Sequence, residues 1–185
     1  MLKKVHLTDD QFDLVTMHFI PKKIRKRQFL LQAGDVCKSV AFVSRGCLRS
    51  YTVDREGEEH IMQFAIDGWW ISDLQSLLTG QPATLNIDAL EDSEILLLDR
   101  ASQDKICLAL PQVEHFFRLL MEGNYNAART RILGFISASA EERYLRFLEA
   151  YPDIVQRVPQ GQIASYLGIT PQSLSRIRKE ISEKP

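Results

Sequence analysis

Cysteine is scarce: Cys37, Cys47 and Cys107 are odd in number and show no CxxC spacing. Neither a disulfide framework nor a thiolate metal site is thereby indicated, and no N-terminal cysteine cluster for iron-sulfur exists. His6, His18, His60 and His115 are scattered, with no pair at ligand spacing. No apolar run is long enough to span a bilayer, and the opening Met1-Leu2-Lys3-Lys4-Val5-His6 is not a secretory leader. A cytoplasmic protein with no membrane partner is expected. Net charge is nearly absent as well, since 23 Lys and Arg against 24 Asp and Glu leave −1. The chain is therefore no general polyanion binder, and affinity for nucleic acid has to come from local basic groups doubled in a dimer. A glycine-rich phosphate loop, a nucleophile elbow and a His/carboxylate metal motif are all missing, so neither an enzyme nor a cofactor is expected.

What is present can fold. The 185 residues are 45% hydrophobic, enough for one ordinary domain and a small appendage. Pro159 to Ile181 reads as a helix-turn-helix. Ile163, Ala164 and Leu167 lie at helical spacing, Gly168 follows as a left-handed C-cap, and Thr170-Pro171 restart a helix as N-cap and first residue. Leu174, Ile177 and Ile181 then fall on one face, and Gln172, Arg176 and Lys179 on the opposite one. Arg and Gln can each grip a base edge through two hydrogen bonds, while Lys suits phosphate; Ser173, Ser175 and Arg178 flank that face.

Earlier in the chain, Thr8 to Gln11 is a capping box opening a short helix that ends before Pro21. The basic run Lys22 to Arg27 marks a solvated edge strand. Gly34, Gly46, Gly57, Gly68 and Gly80 recur every eleven or twelve residues between β-rich runs at 39–44, 47–53 and 59–65. Asp54 to Gly57 supplies a hairpin turn, 74–78 a helical turn or two, 83–89 an alternating strand, and 94–98 closes the series. From Pro111 to about Ser137 nothing interrupts a helix of about 40 Å. One row along it is Val113, Phe116, Leu120, Gly123, Ala127, Thr130 and Gly134; a second is Phe117, Met121, Asn124, Ala128, Ile132 and Phe135. One row can cover the β-roll and leave the other for a partner. A new helix runs from the Ser139/Glu142 capping box to Tyr151, and between Asp153 and Pro159 a short strand or loop is expected.

A glycine-punctuated β-roll, a long helix and the stretch Ile163-Ala164-Ser165-Tyr166-Leu167-Gly168-Ile169-Thr170-Pro171-Gln172-Ser173-Leu174-Ser175-Arg176-Ile177 together resemble the Crp-Fnr family of bacterial transcription regulators. The resemblance covers essentially the whole chain. It implies an α+β fold with an antiparallel, cyclic-nucleotide-binding-like jelly roll (1–110), a long dimerisation helix (111–138) and a helix-turn-helix domain (139–185). It also implies a homodimer joined through Phe116, Leu120, Gly123, Ala127 and Gly134, with double-stranded DNA as partner and RNA polymerase as a further candidate. By position, Gln172, Ser173 and Arg176 read bases, while Thr170, Ser175, Arg178 and Lys179 hold the backbone. The family's β-wing is expected to be reduced or absent, since four residues after Ile181 are too few for a hairpin.

The family's phosphate cassette fails to match. Ser72-Asp73 stand where Gly-Glu belongs, and Ala83-Thr84 where Arg-Ser/Thr belongs. Trp70, Ser72, Asp73, Ala83 and Thr84 mark the candidate effector pocket, yet no Lys, Arg or His occurs between Ile61 and Asp99. A cyclic nucleotide is therefore not the expected effector, whose identity stays open, although Lys38, Arg45 and Arg49 lie on strands from which a cation can reach in. The competing reading is a non-DNA interaction or small-ligand-binding module on the same fold.

Overall fold

The computed structural model describes residues 6–183; residues 1–5, read above as no leader, and Lys184 and Pro185 lie outside the described residues. Helix α1 (Asp9–Thr16) opens on the expected reciprocal box, the Gln11 N–H donating to the Thr8 hydroxyl and the Thr8 N–H to the Gln11 side chain. Eight strands then build two antiparallel sheets. In the first, β1 (Ile20–Ile24), β3 (Ser39–Arg45), β6 (Trp70–Ile71) and β8 (Ser93–Asp99) lie in the order β1-β8-β3-β6. In the second, β2 (Phe29–Leu31), β4 (Leu48–Val53), β5 (Glu59–Ala65) and β7 (Asn86–Ala89) lie in the order β2-β7-β4-β5. Leu31, Val43, Leu48, Ile71, Ile87 and Ile95 meet between them as the core of the roll.

Local chemistry fixes the turns. The Asp54 carboxylate accepts the N–H groups of Glu56 and Glu58 at 2.8 and 3.0 Å and so closes the β4–β5 hairpin. Gly46 sits at φ +122°, and a Cβ there would stand 2.1 Å from Ser93 Oγ, so only glycine fits. The basic run does begin on an edge strand, β1, but only Lys22 and Lys23 belong to it, and Arg25 to Gln28 form a turn.

Two expectations are corrected and one element is added. The strand expected from Ala83 begins at Asn86, because the Thr84 and Leu85 N–H groups donate to Asp73. An unanticipated helix, α3 (Arg100–Ala109), follows β8, capped by Asp99 accepting the Ser102 N–H at 2.8 Å. The stretch after Asp153 is not a strand or loop but helix α6 (Pro152–Arg157): Pro152 occupies its first position, and helical geometry sinks Ile154 to 1% exposure.

The remaining helices are α2 (Leu74–Thr79), α4 (Pro111–Ser137), α5 (Ala140–Ala150), α7 (Gln160–Leu167) and α8 (Pro171–Glu183). The last four helices do not hang free of the roll. Cys47, Ile61, Phe64 and Ile66 from the roll share one apolar cluster with Tyr144, Phe147, Ile163 and Leu174 from the helices. Ser165 of α7 covers the open edge of β5, accepting the Ile61 N–H at 3.0 Å and donating to Glu59 O at 2.8 Å. Arg157 bridges Asp67 at 2.8 Å and Glu91, and both acids belong to the roll. Because these carboxylates are partly solvated, Arg157→Ala is expected to cost only about 1 kcal/mol of stability. Amide exchange in α6 and α7 should nevertheless quicken; unchanged exchange there would show that the bridge does not hold the helices down.

Candidate nucleic-acid interface and effector cassette

Helix α7 ends at Gly168, whose φ of +65° lets the Ile169 N–H reach back to Ala164 O at 3.0 Å. Phe135 of α4 lies over this turn, so a Cβ on Gly168 would come within 3.0 Å of its ring. Thr170 then pins the start of α8. Its hydroxyl accepts the Ser173 N–H at 3.1 Å and donates to the Ser173 hydroxyl at 2.9 Å, so two expected contact residues are tied together. Leu174 and Ile177 are buried and Ile181 packs against them, while Gln172, Ser175, Arg176, Arg178 and Lys179 are exposed.

That outer face carries cations held only loosely. Arg176 stands 3.9 Å from Glu180 and Lys179 3.8 Å from Glu183, both in solvent. From Ile154 to Lys179 the sequence contains no acidic residue. The leading half of α8 is therefore purely cationic and polar, suited to a polyanion with readable edges.

The long helix divides its rows differently from the dimer contacts expected by resemblance. Phe116 is buried and Leu120 partly so, both packed with Trp70 against the roll, and Gly134 lies under the Arg143 side chain. Phe116, Leu120 and Gly134 are thus used within the chain; Gly123 and Ala127 are exposed. Met121, Tyr125, Ile132 and Phe135 are exposed, and with exposed Ala128 they repeat every four and three residues. That is the spacing of a two-helix seam.

The effector cassette is built from β6, α2 and the loop into β7. Asp73, 3% exposed, caps α2 by accepting the Ser76 N–H at 2.9 Å with one oxygen. Its other oxygen accepts the N–H groups of Thr84 and Leu85 at 3.1 and 3.3 Å. The donors that an anion would use at this cassette are therefore held by the chain's own carboxylate. Ala83 is buried, its N–H donating to Asp35 O at 2.7 Å.

The five expected pocket residues do not converge. Ser72 lines a cavity of about 470 Å³ floored by Leu31, Ile71, Ile87 and Leu97, but Asp73, Ala83 and Thr84 do not line it. Trp70 lies on the opposite side of its sheet, with ring centroids 5.3–6.4 Å from Phe19, Phe42, Phe116 and Phe117. Alternation along the two-residue strand turns Ile71 to the cavity and Trp70 away from it, while Ser72 lies past the strand's end. Arg49 is no free cation either: it pairs with Asp88 at 2.8 Å and Glu59 at 2.5 Å, and stacks 4.2 Å over Tyr51. Of Lys38, Arg45 and Arg49 only Lys38, in the loop before β3, lines the cavity, where Lys22 of β1 joins it; neither lies on the Asp73–Thr84 cassette itself. A cyclic phosphate thus finds neither free donors nor a cation at the cassette.

Cys37, Cys47 and Cys107 fall in three separate clusters, and among the described residues no group of His, Cys, Asp or Glu is arranged for a metal. Burial pushes the Cys47 thiol up to about 12. Sequence reasoning passed over Arg131, Arg143 and Arg157, which tie the helices to the roll and to one another; the acid-free run 123–140 around Arg131 was the available signal.

A cyclic nucleotide-binding domain model matches residues 21–109. The chain is 29% identical over 173 residues to the regulatory protein HlyX of Actinobacillus pleuropneumoniae, covering 84% of this chain and 69% of that one. It is 30% identical over 173 residues to the fumarate and nitrate reduction regulatory protein of Yersinia pestis, covering 84% and 66%. The chain therefore spans about two thirds of the length of these curated relatives. Its fold superposes on FixK2 from Bradyrhizobium japonicum with a TM-score of 0.75 at 22% identity, over 89% of this chain and 84% of that one. Among the described residues, no helix is long and apolar enough to cross a membrane.

Proposed function

We propose a mode of action from one premise: the chain belongs to the Crp-Fnr family of transcription regulators. It acts in the cytoplasm as a homodimer that binds a two-fold symmetric DNA site and performs no catalysis. Residues 1–110 form the effector-type roll, 111–138 the pairing helix and 139–185 the DNA-binding domain. The two copies of α8 enter successive major grooves about 34 Å apart, the family's usual docking. Gln172, Ser173 and Arg176 read base edges; Thr170, Ser175, Arg178 and Lys179 hold phosphates and sugars; RNA polymerase is the partner the bound dimer addresses. The observation that carries this reading is the exposed Gln172/Arg176/Lys179 face set opposite buried Leu174 and Ile177.

Selection of bound sites from random DNA tests it, a palindrome being the expected product and no enrichment the outcome against it. Arg176→Ala is expected to cost about 1–3 kcal/mol per half-site and to relax preference at one base position. Lys179→Ala should weaken all sequences alike and lower the salt slope by about one. Equal losses on specific and random DNA for Arg176→Ala would remove its reading role. Because the cassette donors are taken by Asp73, the effector, if one acts, is not a cyclic nucleotide.

A further inference from the structure

Three arginines surround a cavity of about 130 Å³ between α4, α5 and α7, and no acidic residue lines it. Arg131 is the most deeply set. Its guanidinium lies 4.1 Å over the Tyr166 ring and donates to Met62 O at 2.7 Å and Ile61 O at 2.9 Å. Its Nε is buried with no partner, and burial pulls the group below the ordinary arginine range. Arg143 donates to Leu167 O and Ala138 O, again to carbonyls. Among the described residues no carboxylate forms an ion pair with Arg131, Arg143 or Arg146. Glu142 feels the Arg146 charge, but one of its oxygens is committed to the Ser139 N–H at 2.7 Å.

For the deeply set Arg131, charge without a counter-ion is costly. A second copy of the chain does not remove the cost, because residues 123–140 contain no Asp or Glu and include Arg129 and Arg131. Two α4 helices paired in register would bring more arginine to this level, not a carboxylate. The remaining lining is flat and aromatic, with Phe147, Tyr151 and Tyr166 among it.

We propose that this cavity is a binding site for a small carboxylate with a planar apolar body. The forks of Arg143 and Arg146 hold the carboxylate, and the rings hold the body. The site is separate from the roll cavity, and occupation there acts on the helix-turn-helix directly. Arg143 grips Leu167 O one residue before the Gly168 turn, and Arg131 stacks on Tyr166 of α7. Binding does not depend on the DNA-reading role proposed above; only its consequence for DNA does.

Calorimetric titration of the full chain with sodium benzoate, benzamide and inorganic phosphate is the test. Trp69, 5.5 Å from Tyr151, offers a fluorescence reading of the same event. One benzoate per chain is expected, with benzamide about tenfold weaker or worse for want of the charge. Arg146→Gln, at an exposed position, should weaken benzoate about tenfold while the melting temperature holds; Arg143→Gln should do the same or more. The site is refuted by absence of saturable benzoate binding up to about 10 mM. It is equally refuted by benzamide binding as well as benzoate, by phosphate binding more tightly than either, or by Arg146→Gln leaving affinity unchanged.

Discussion

Ile132→Glu is expected to leave single 21.2 kDa chains in solution where the natural sequence sediments at twice that mass. Ile132 belongs to the exposed four-three repeat from Met121 to Phe135, and it is 59% exposed in the single chain. Burying such a side chain is worth about 2 kcal/mol, and two-fold symmetry counts it twice. The substitution also sets two carboxylates near each other, so pairing should weaken by at least about 4 kcal/mol, roughly a thousandfold in Kd. Exposure makes the result clean: the single chain loses little by the change, and its circular dichroism should be unaltered. Sedimentation at about 20 µM distinguishes the states for a natural Kd of about 1 µM, since the variant's Kd then stands near 1 mM. A variant that remains a dimer places the contact elsewhere. Leu at Gly123 and Ala127 is the companion change; if it disrupts pairing more than Ile132→Glu, the seam follows the first row of α4.

The division of α4 into rows also bears on what the sequence could reveal. The limits of α4 were legible because proline, capping and periodicity all act within a few residues of one another. Which row turned inward was not. Phe116 and Leu120 look like seam residues until Trp70, about fifty residues earlier, is seen to pack on them, a contact no local pattern encodes. The same holds for α6. Its residues read as a loop because a six-residue helix is marginal alone, and it persists by burying Ile154 in a cluster shared with the roll. Arg49 was readable as a cation and unreadable as a spent one, since Asp88 and Glu59 reach it across strand pairings. The polar face of α8 fared better. Its polar side is set by helical geometry from Gln172 to Lys179, with every determinant within two turns.

The cassette was half legible, and its other half yields the last prediction. Sequence alone identified the missing cation but could not show where Asp73 points. With its carboxylate bound by three N–H groups, the natural chain is expected to give no saturable heat with cyclic AMP or cyclic GMP. Saturable binding at about 1–10 µM would overturn that. Asp73→Ala should be severely destabilising. It removes the cap of α2 and orphans the Ser76, Thr84 and Leu85 N–H groups, of which the last two are near enough to solvent to be partly rescued by water. A loss of roughly 3 kcal/mol in urea unfolding follows, a large share of the total of a domain this size. Asp73→Asn keeps one oxygen for the Ser76 N–H, so it should lose less, about 1–2 kcal/mol. An added anion can then take the vacated place. Inorganic phosphate at about 20 mM should return part of the Asp73→Ala loss while adding little to the natural chain, whose own behaviour corrects for the general effect of phosphate on folding. Equal gains in both chains would mean that the donors no longer converge once Asp73 is gone, and that the carboxylate builds this seat as well as filling it.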